Sequence, residues 1–241
     1  DKVKEDDQYK WFFDVLKEYF ETSGKHPKID ELKFVFIDFT DVHNQKLDVE
    51  KSIPYFRDEI KKPNISFEDF YSLTKYRRSV RWFLDKKVPH KLIDKALLAA
   101  KQSPSACNRQ PFQYRIFDEP SLLKEVSNLP MGITGYAHGI QMLIVVVGNL
   151  DAYFDERDRH LIYIDASLSN MTFMFALETL GLSSCAINWP DIESLEVKME
   201  KILALEKYQR PLMCMAVGYA DPNGKVAFSE KRNLEYIRKF N

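Results

Sequence analysis

Apolar side chains near the start of the chain recur at helical spacing. Tyr9, Trp11, Phe12, Phe13, Val15, Leu16, Tyr19 and Phe20 suit an amphipathic helix, which Gly24 and Pro27 would end. From Leu32 to Phe39 the pattern changes to a loose alternation through Phe34, Phe36 and Phe39, the mark of a strand. Charged turns follow, and Pro54 and Pro63 interrupt any longer period. Ser66 ahead of Glu68 and Asp69 supplies an N-cap and an acidic first turn for a further short helix.

From Tyr76 onward the pattern is regular. Leu92, Ile93, Ala96, Leu97, Ala99 and Ala100 line one face of a helix expected over 89–103. Phe112, Tyr114 and Ile116 alternate, so 112–117 reads as a strand. The unbroken apolar run 142–148 reads as a buried strand. Residues 165–180 form a helix apolar on nearly every side, with Gly181 at the C′ position. A short strand over 184–189, a charged helix over 193–208 and a buried strand over 212–219 complete the series before the turn Asp221-Pro222-Asn223-Gly224. The order is that of an α+β or α/β domain whose central sheet is covered by helices. It spans 76–241, preceded by a mainly helical extension, 1–75, of no readable role.

Composition narrows the function classes. Lys and Arg number 35 against 36 Asp and Glu, so charge gives no global argument for nucleic acid or an anionic membrane, and neither is expected as a partner. The longest apolar run is far shorter than the roughly 20 residues that span a bilayer. No apolar leader opens the chain, and the missing initial Met suggests a piece of a longer protein. Cys107, Cys185 and Cys214 form no CxxC pair, which leaves no readable metal site and fits a reducing, cytoplasmic setting. His138 and His160 lack metal-ligand spacing. The run Asp155-Glu156-Arg157-Asp158-Arg159 reads as a solvated turn.

Three local clusters remain. Arg77-Arg78-Ser79-Val80-Arg81 concentrates three guanidiniums and a hydroxyl, donors suited to phosphate and to carbonyl-rich rings. Ser103-Pro104-Ser105-Ala106-Cys107-Asn108-Arg109-Gln110-Pro111 is a loop of short polar side chains between prolines. Ser229-Glu230-Lys231-Arg232 adds a basic pair near the C-terminal end. Each by itself also fits an ordinary surface turn.

Together these residues resemble the nitroreductase family of FMN-dependent flavoproteins. Its R-x-S-x-[RK]-x-[FY]-like stretch is matched by Arg77 to Phe83, and its [SA]-P-S-x-x-N-x-Q-P-[WF] loop by Ser103 to Phe112. A small-residue helix ending in Gly-Leu, a short strand through Ile187-Asn188-Trp189, the strand end Val217-Gly218-Tyr219 and the pair Lys231-Arg232 follow in family order over 76–237. The resemblance implies an α+β subunit with a central mixed, mainly antiparallel sheet flanked by helices, in a homodimer with FMN at the interface. It puts Arg77, Arg78 and Ser79 on the phosphate, ribityl chain and ring edge of FMN, and Arg81 beside the pyrimidine. It puts Pro104, Ser105 and Asn108 in the flavin-contacting loop, Ile187, Asn188 and Trp189 behind the ring near N5, and Lys231 with Arg232 on the phosphate.

No side chain is implied as catalytic. NADH or NADPH would reduce the flavin, and a nitroaromatic, quinone or similar conjugated acceptor would reoxidise it. Dehalogenases, azoline-forming oxidases and flavin-fragmenting enzymes share the resemblance, and a non-catalytic flavin-binding partner protein also fits. Cys107 lies within the loop, but no positioned His supports a thiol nucleophile. Where many members have Glu-Gly or Gly-Gly, this chain has Asn188-Trp189, so Trp189 would narrow the pocket or stack on a ligand. With a short connection after the second motif, 131–136 is the candidate substrate-facing loop.

Overall fold

The computed structural model describes residues 7–42 and 51–241, and the charged turns expected after Phe39 fall largely outside them. The chain divides into two compact units, Asp1–Asn64 and Ile65–Asn241. The sequence pattern places a boundary after residue 75; the compact units divide eleven residues earlier, at 64/65.

In the first unit, α1 (Asp7–Thr22) and α2 (Pro27–Val42) are both helices. The strand expected over 32–39 is therefore corrected. Pro27 opens α2 at a first-turn position that needs no N–H donor, and Phe36 meets Phe13 and Phe20 of α1 at ring-centroid distances of 5.5 and 5.4 Å. Phe34 is left mostly exposed, so the apparent alternation belongs to two sides of a helix. Asp14 accepts from Lys10 Nζ at 2.6 Å and from the Ser52 amide at 2.8 Å, tying the following segment to α1.

The second unit begins with α3 (Phe67–Tyr76), capped as expected by Ser66, whose hydroxyl accepts from the Asp69 amide at 3.0 Å. It continues through α4 (His90–Ala100), β1 (Phe112–Phe117), α5 (Pro120–Ser127), β2 (Met142–Asn149), α6 (Leu161–Thr179), β3 (Ser183–Asn188), α7 (Glu193–Leu203), β4 (Gln209–Gly218) and α8 (Leu234–Ile237). Three corrections to the expected elements follow. First, α5 was not legible as a helix. Glu119 caps it by accepting from the Ser121 and Leu122 amides, and Pro120 sits in its first turn. Second, α6 starts one turn before Asp165. Third, α7 stops at Leu203 rather than Tyr208, because Ala204 turns left-handed (φ 49°) and the Leu205 amide returns to the Glu200 carbonyl at 3.0 Å.

The sheet has the order β1-β2-β4-β3, every neighbour antiparallel. Alternate residues divide two cores. Met142, Ile144, Met215 and Val217 face α4 and α6 with Ile93, Ala96, Phe173 and Leu177. Leu143, Val145, Cys214 and Ala216 face the other way with Val126 of α5 and Met199 of α7. At the end of α6, Gly181 adopts φ 74° and the Leu182 amide reaches back to the Leu177 carbonyl, so the chain turns directly into β3.

The segment after α3 crosses the sheet end. A Cβ on Gly218 would stand 2.7 Å from Phe83 Cδ1. We expect Gly218→Ala to destabilise the protein by about 1–3 kcal/mol through overpacking and to displace the Arg81–Leu84 segment, read as a lower melting temperature.

Candidate functional site

Arg77 is the C-cap of α3, its amide bonded to the Leu73 carbonyl at 3.0 Å. The chain then leaves the helix extended and runs against the free edge of β3. Ser79 bridges to Ser184 in parallel, and the Val80 amide donates to the Ser184 carbonyl at 3.0 Å. Beyond Arg81 it crosses to the end of β4, where the Leu84 amide donates to Tyr219 and the Asp221 amide to Trp82. Arg78 Nη2 donates to the Ala227 carbonyl at 3.3 Å, which joins this motif to the segment leading to Lys231 and Arg232. That basic pair is exposed, with the Arg232 guanidinium 5.7 Å from the centre of the Tyr236 ring.

Where α6 ends and β3 begins, Arg77 Nε, Ser184 Oγ and Glu178 Oε1 are buried without a hydrogen-bond partner. Such orphans in a protein interior call for a partner. Burial pushes the Glu178 carboxyl up to about 6, against the opposing pull of the Ser183 hydroxyl and Arg77. The folded state then holds this proton more tightly than the unfolded chain, so the contribution is full below about 4.5 and is lost as pH rises through about 6. Glu178→Gln should therefore melt higher than the parent above pH 7, with the gap closing towards pH 4.5, in paired thermal melts.

The second motif is anchored at the opposite end of α6. Asp165 is 3% exposed, and its Oδ2 accepts from the Ala106 amide at 3.1 Å and from the Tyr153 hydroxyl at 2.5 Å. Burial and the Asp165 carboxylate raise the Tyr153 hydroxyl well above the usual phenol range. Ser103 Oγ lies 2.9 Å from Thr172 Oγ1, and Ser105 Oγ accepts from the Gln110 amide at 3.0 Å. Between these ties the backbone is left-handed at Cys107 (φ 51°), Asn108 (φ 54°) and Gln110 (φ 48°). Each such non-glycine residue costs about 1–2 kcal/mol unless its surroundings hold it, and strain of this kind gathers at functional sites. Pro104, Cys107 and Asn108 are exposed on the loop. Asp165 and Tyr153 were missed by motif reasoning. The available signal was a carboxylate set in an otherwise apolar helix.

At the end of β3, Ile187 is buried and Asn188 exposed. Trp189 departs from its expected role. Its ring is 7% exposed within the α5–α7 core, and its Nε1 donates to Glu196 Oε1, so the side chain is unavailable to stack on a ligand or narrow a pocket. The candidate loop 131–136 anchors Ile133 and Tyr136 in that core and leaves Met131, Gly132, Thr134 and Gly135 exposed. Tyr136 faces Arg81, whose guanidinium lies 5.8 Å from the ring centre, and its hydroxyl is 3.8 Å from Cys185 Sγ. Arg81 is thus held by an aromatic face of the same chain.

The clusters do not converge within one chain. The first docks at Ser184, paired with Val217 of β4, while the second feeds β1 at Phe112, which pairs through Gly148 with Arg210. These are diagonal corners, separated by roughly 20–25 Å along the strands and about 14 Å across the four-stranded sheet. Between them α6 carries an outward apolar stripe of Tyr163, Ile164 and Leu168, continued by half-buried Met171 and Phe175. Arg77 and Ser184 each carry an unpartnered buried donor, and guanidinium and hydroxyl donors are chemically suited to a phosphate. Among the described residues no group of three or more His, Cys, Asp or Glu could hold a metal ion, and no helix is long and apolar enough to cross a membrane.

The model of the nitroreductase family matches residues 74–134 and 132–219, more than half of the chain. A curated protein of Methanothermobacter thermautotrophicus, whose provisional name pairs NADH dehydrogenase with NAD(P)H nitroreductase, is 24% identical over 163 residues, 66% of this chain and 81% of its own. A Caenorhabditis elegans protein named as an iodotyrosine dehalogenase 1 homolog is 26% identical over 238 residues, 83% of this chain and 70% of its own. Among solved structures, an FMN-dependent nitroreductase from Clostridium difficile superposes with a TM-score of 0.61 at 20% identity, over 71% of this chain and 99% of that one.

Proposed function

Since the chain belongs to the nitroreductase family, we propose that it is an FMN-dependent oxidoreductase that takes hydride from NADH or NADPH and reduces a nitroaromatic, quinone or similar conjugated acceptor. The observation that carries this reading is the set of unsatisfied and exposed donors where Arg77–Arg81 meets β3, set diagonally across the sheet from a strained, anchored polar loop. Bound FMN would supply hydride acceptance and electron delivery.

The protein's part is binding, orientation and electrostatics. Arg77, Arg78, Ser79, Lys231 and Arg232 would hold the phosphate and ribityl chain. Arg81, steadied by Tyr136, would place a cation beside the pyrimidine and favour the negative charge of the reduced ring. Pro104, Ser105 and Asn108 would come from the second copy of a homodimer, because the two corners are too far apart to close on one ring within a subunit. The backbone at Ile187–Trp189 would back the ring, with the Trp189–Glu196 bond fixing its path.

Purified protein should be yellow or take up FMN, and anaerobic mixing with NADH or NADPH should bleach it. A flavin that stays oxidised with both donors overturns the reductase assignment. A second reading, reductive dehalogenation, is favoured by the span of the dehalogenase homolog's match, which exceeds the region covered by the family model. Iodide release from 3-iodotyrosine by the reduced protein, in a panel with nitrobenzene and benzoquinone, distinguishes the two.

A further inference from the structure

Arg77 and Glu178 each bury a polar atom that has no hydrogen bond, the donor Nε of one and the acceptor Oε1 of the other. The fold brings both to one junction. Arg77 caps the C-terminal end of α3, which packs on α6 through Phe70 and Phe175, edge to face with ring centres 5.8 Å apart. Glu178 stands one turn beyond Phe175, in the last turn of α6. Ser79 bridges Ser184, and the Ser183 hydroxyl donates to Glu178 Oε2 at 3.2 Å. The positive charge of Arg77 reaches the Glu178 carboxyl, yet the two form no ion pair among the described residues.

The two edges of the Arg77 guanidinium differ. Nε is closed off inside the protein, whereas Nη1 and Nη2 are not, and the side chain as a whole is half-buried. Glu178, for its part, gains nothing in stability from being an acid. Its buried Oε1 is left without a partner, and an uncharged side chain of similar volume would stabilise the junction. The neighbouring Nε–H supplies a reason for the carboxylate. A guanidinium gripped along its inner edge keeps its terminal fork in one direction, and a fork so fixed loses less freedom when it takes a phosphate.

We propose that Glu178 is a positioning residue for Arg77: a side-chain rotation closes Arg77 Nε–H onto Glu178 Oε1, and the pair turns the Nη1–Nη2 fork outward to the flavin phosphate. The inference rests on the proposed flavin site, in which Arg77 meets that phosphate. Glu178 itself touches neither flavin nor acceptor, and Ser183 keeps its hold on Oε2. Charge and orientation make opposite demands here. By charge alone a carboxylate near a phosphate repels it, so removing Glu178 would tighten FMN binding. By orientation its removal frees Arg77 among its rotamers and weakens FMN binding. Riboflavin, which lacks the phosphate, is indifferent to both.

The test is fluorescence titration of the full, flavin-free chain with FMN and with riboflavin, at a pH about two units above 6 so that Glu178 is ionised. The parent should prefer FMN by about a hundredfold or more. Glu178→Leu should cut that preference about tenfold, and Glu178→Gln, which retains an acceptor oxygen, about threefold, with riboflavin affinity held within about twofold. Glu178→Gln should also melt higher than the parent at this pH, so weaker FMN binding by a stabler protein isolates orientation from folding. In an Arg77→Ala background the effect of Glu178→Leu should vanish. An unchanged or raised preference for FMN, an equal loss of both flavins, or the same fall without Arg77 would overturn the positioning role. A parent that binds flavin but does not prefer FMN would overturn it at its root, by removing Arg77 from the phosphate.

Discussion

Asp165→Ala should release the loop over 103–111 and weaken FMN retention about thirty-fold, with a loss of about 3 kcal/mol in unfolding free energy. The stability loss arises because one buried oxygen serves two donors, the Ala106 amide and the Tyr153 hydroxyl, and both would be left unsatisfied. The affinity loss follows from the left-handed residues Cys107, Asn108 and Gln110. Freed from its anchor, the loop can relax, and apparent affinity falls with the fraction that remains competent. A penalty of about 2 kcal/mol corresponds to about thirty-fold. Asp165→Asn retains an acceptor and should fall between the two. Tyr153→Phe removes one donor and should cost about 1 kcal/mol. Flavin fluorescence on dilution and thermal melts read both quantities; an Asp165→Ala protein matching the parent in each would show that the anchor is incidental.

Two variants that each bind flavin poorly should restore each other. If the first motif of one subunit and the second motif of its partner build each flavin site, Arg78→Glu damages one half of every site and Asp165→Ala the other. Unfolded together and refolded as an equal mixture, half the dimers would be mixed, and each mixed dimer would carry one intact site of two. About a quarter of parental flavin binding should return. A site built within one subunit predicts almost none. The size of this contrast makes it the sharpest check on the composite site.

The sequence made much of the second unit legible, and the reasons differ by element. β1 and β2 lie within a residue of their expected ends because alternation and an unbroken apolar run are both strand patterns, and the unbroken run maps onto burial on both faces of β2. Gly181 marked the end of α6 because only glycine takes φ 74° cheaply. The end of α7 was hidden because Ala204 does the same work without glycine's signature. α2 was misread since three phenylalanines within six residues satisfy a strand pattern locally, while only contact with Phe13 and Phe20 selects the helix. In the site, motif residues could be named, but their supports could not. Asp165, Tyr153 and Tyr136 act through spatial neighbours 59, 12 and 49 residues away in the chain. Trp189 was wrongly offered to a ligand because its indole partner, Glu196, becomes visible only when α7 folds back beside β3.

The outer stripe of α6 has a further consequence. Ile93, Ala96, Phe173 and Leu177 bury one side of the α4–α6 layer, while Tyr163, Ile164 and Leu168 leave the other side of the same helix facing water. If a second copy covers that stripe, folding and association share one helix. The melting point then rises with protein concentration instead of being a fixed property of the chain. Dilution, with no change in temperature or solvent, would be enough to loosen the subunit and empty its flavin site.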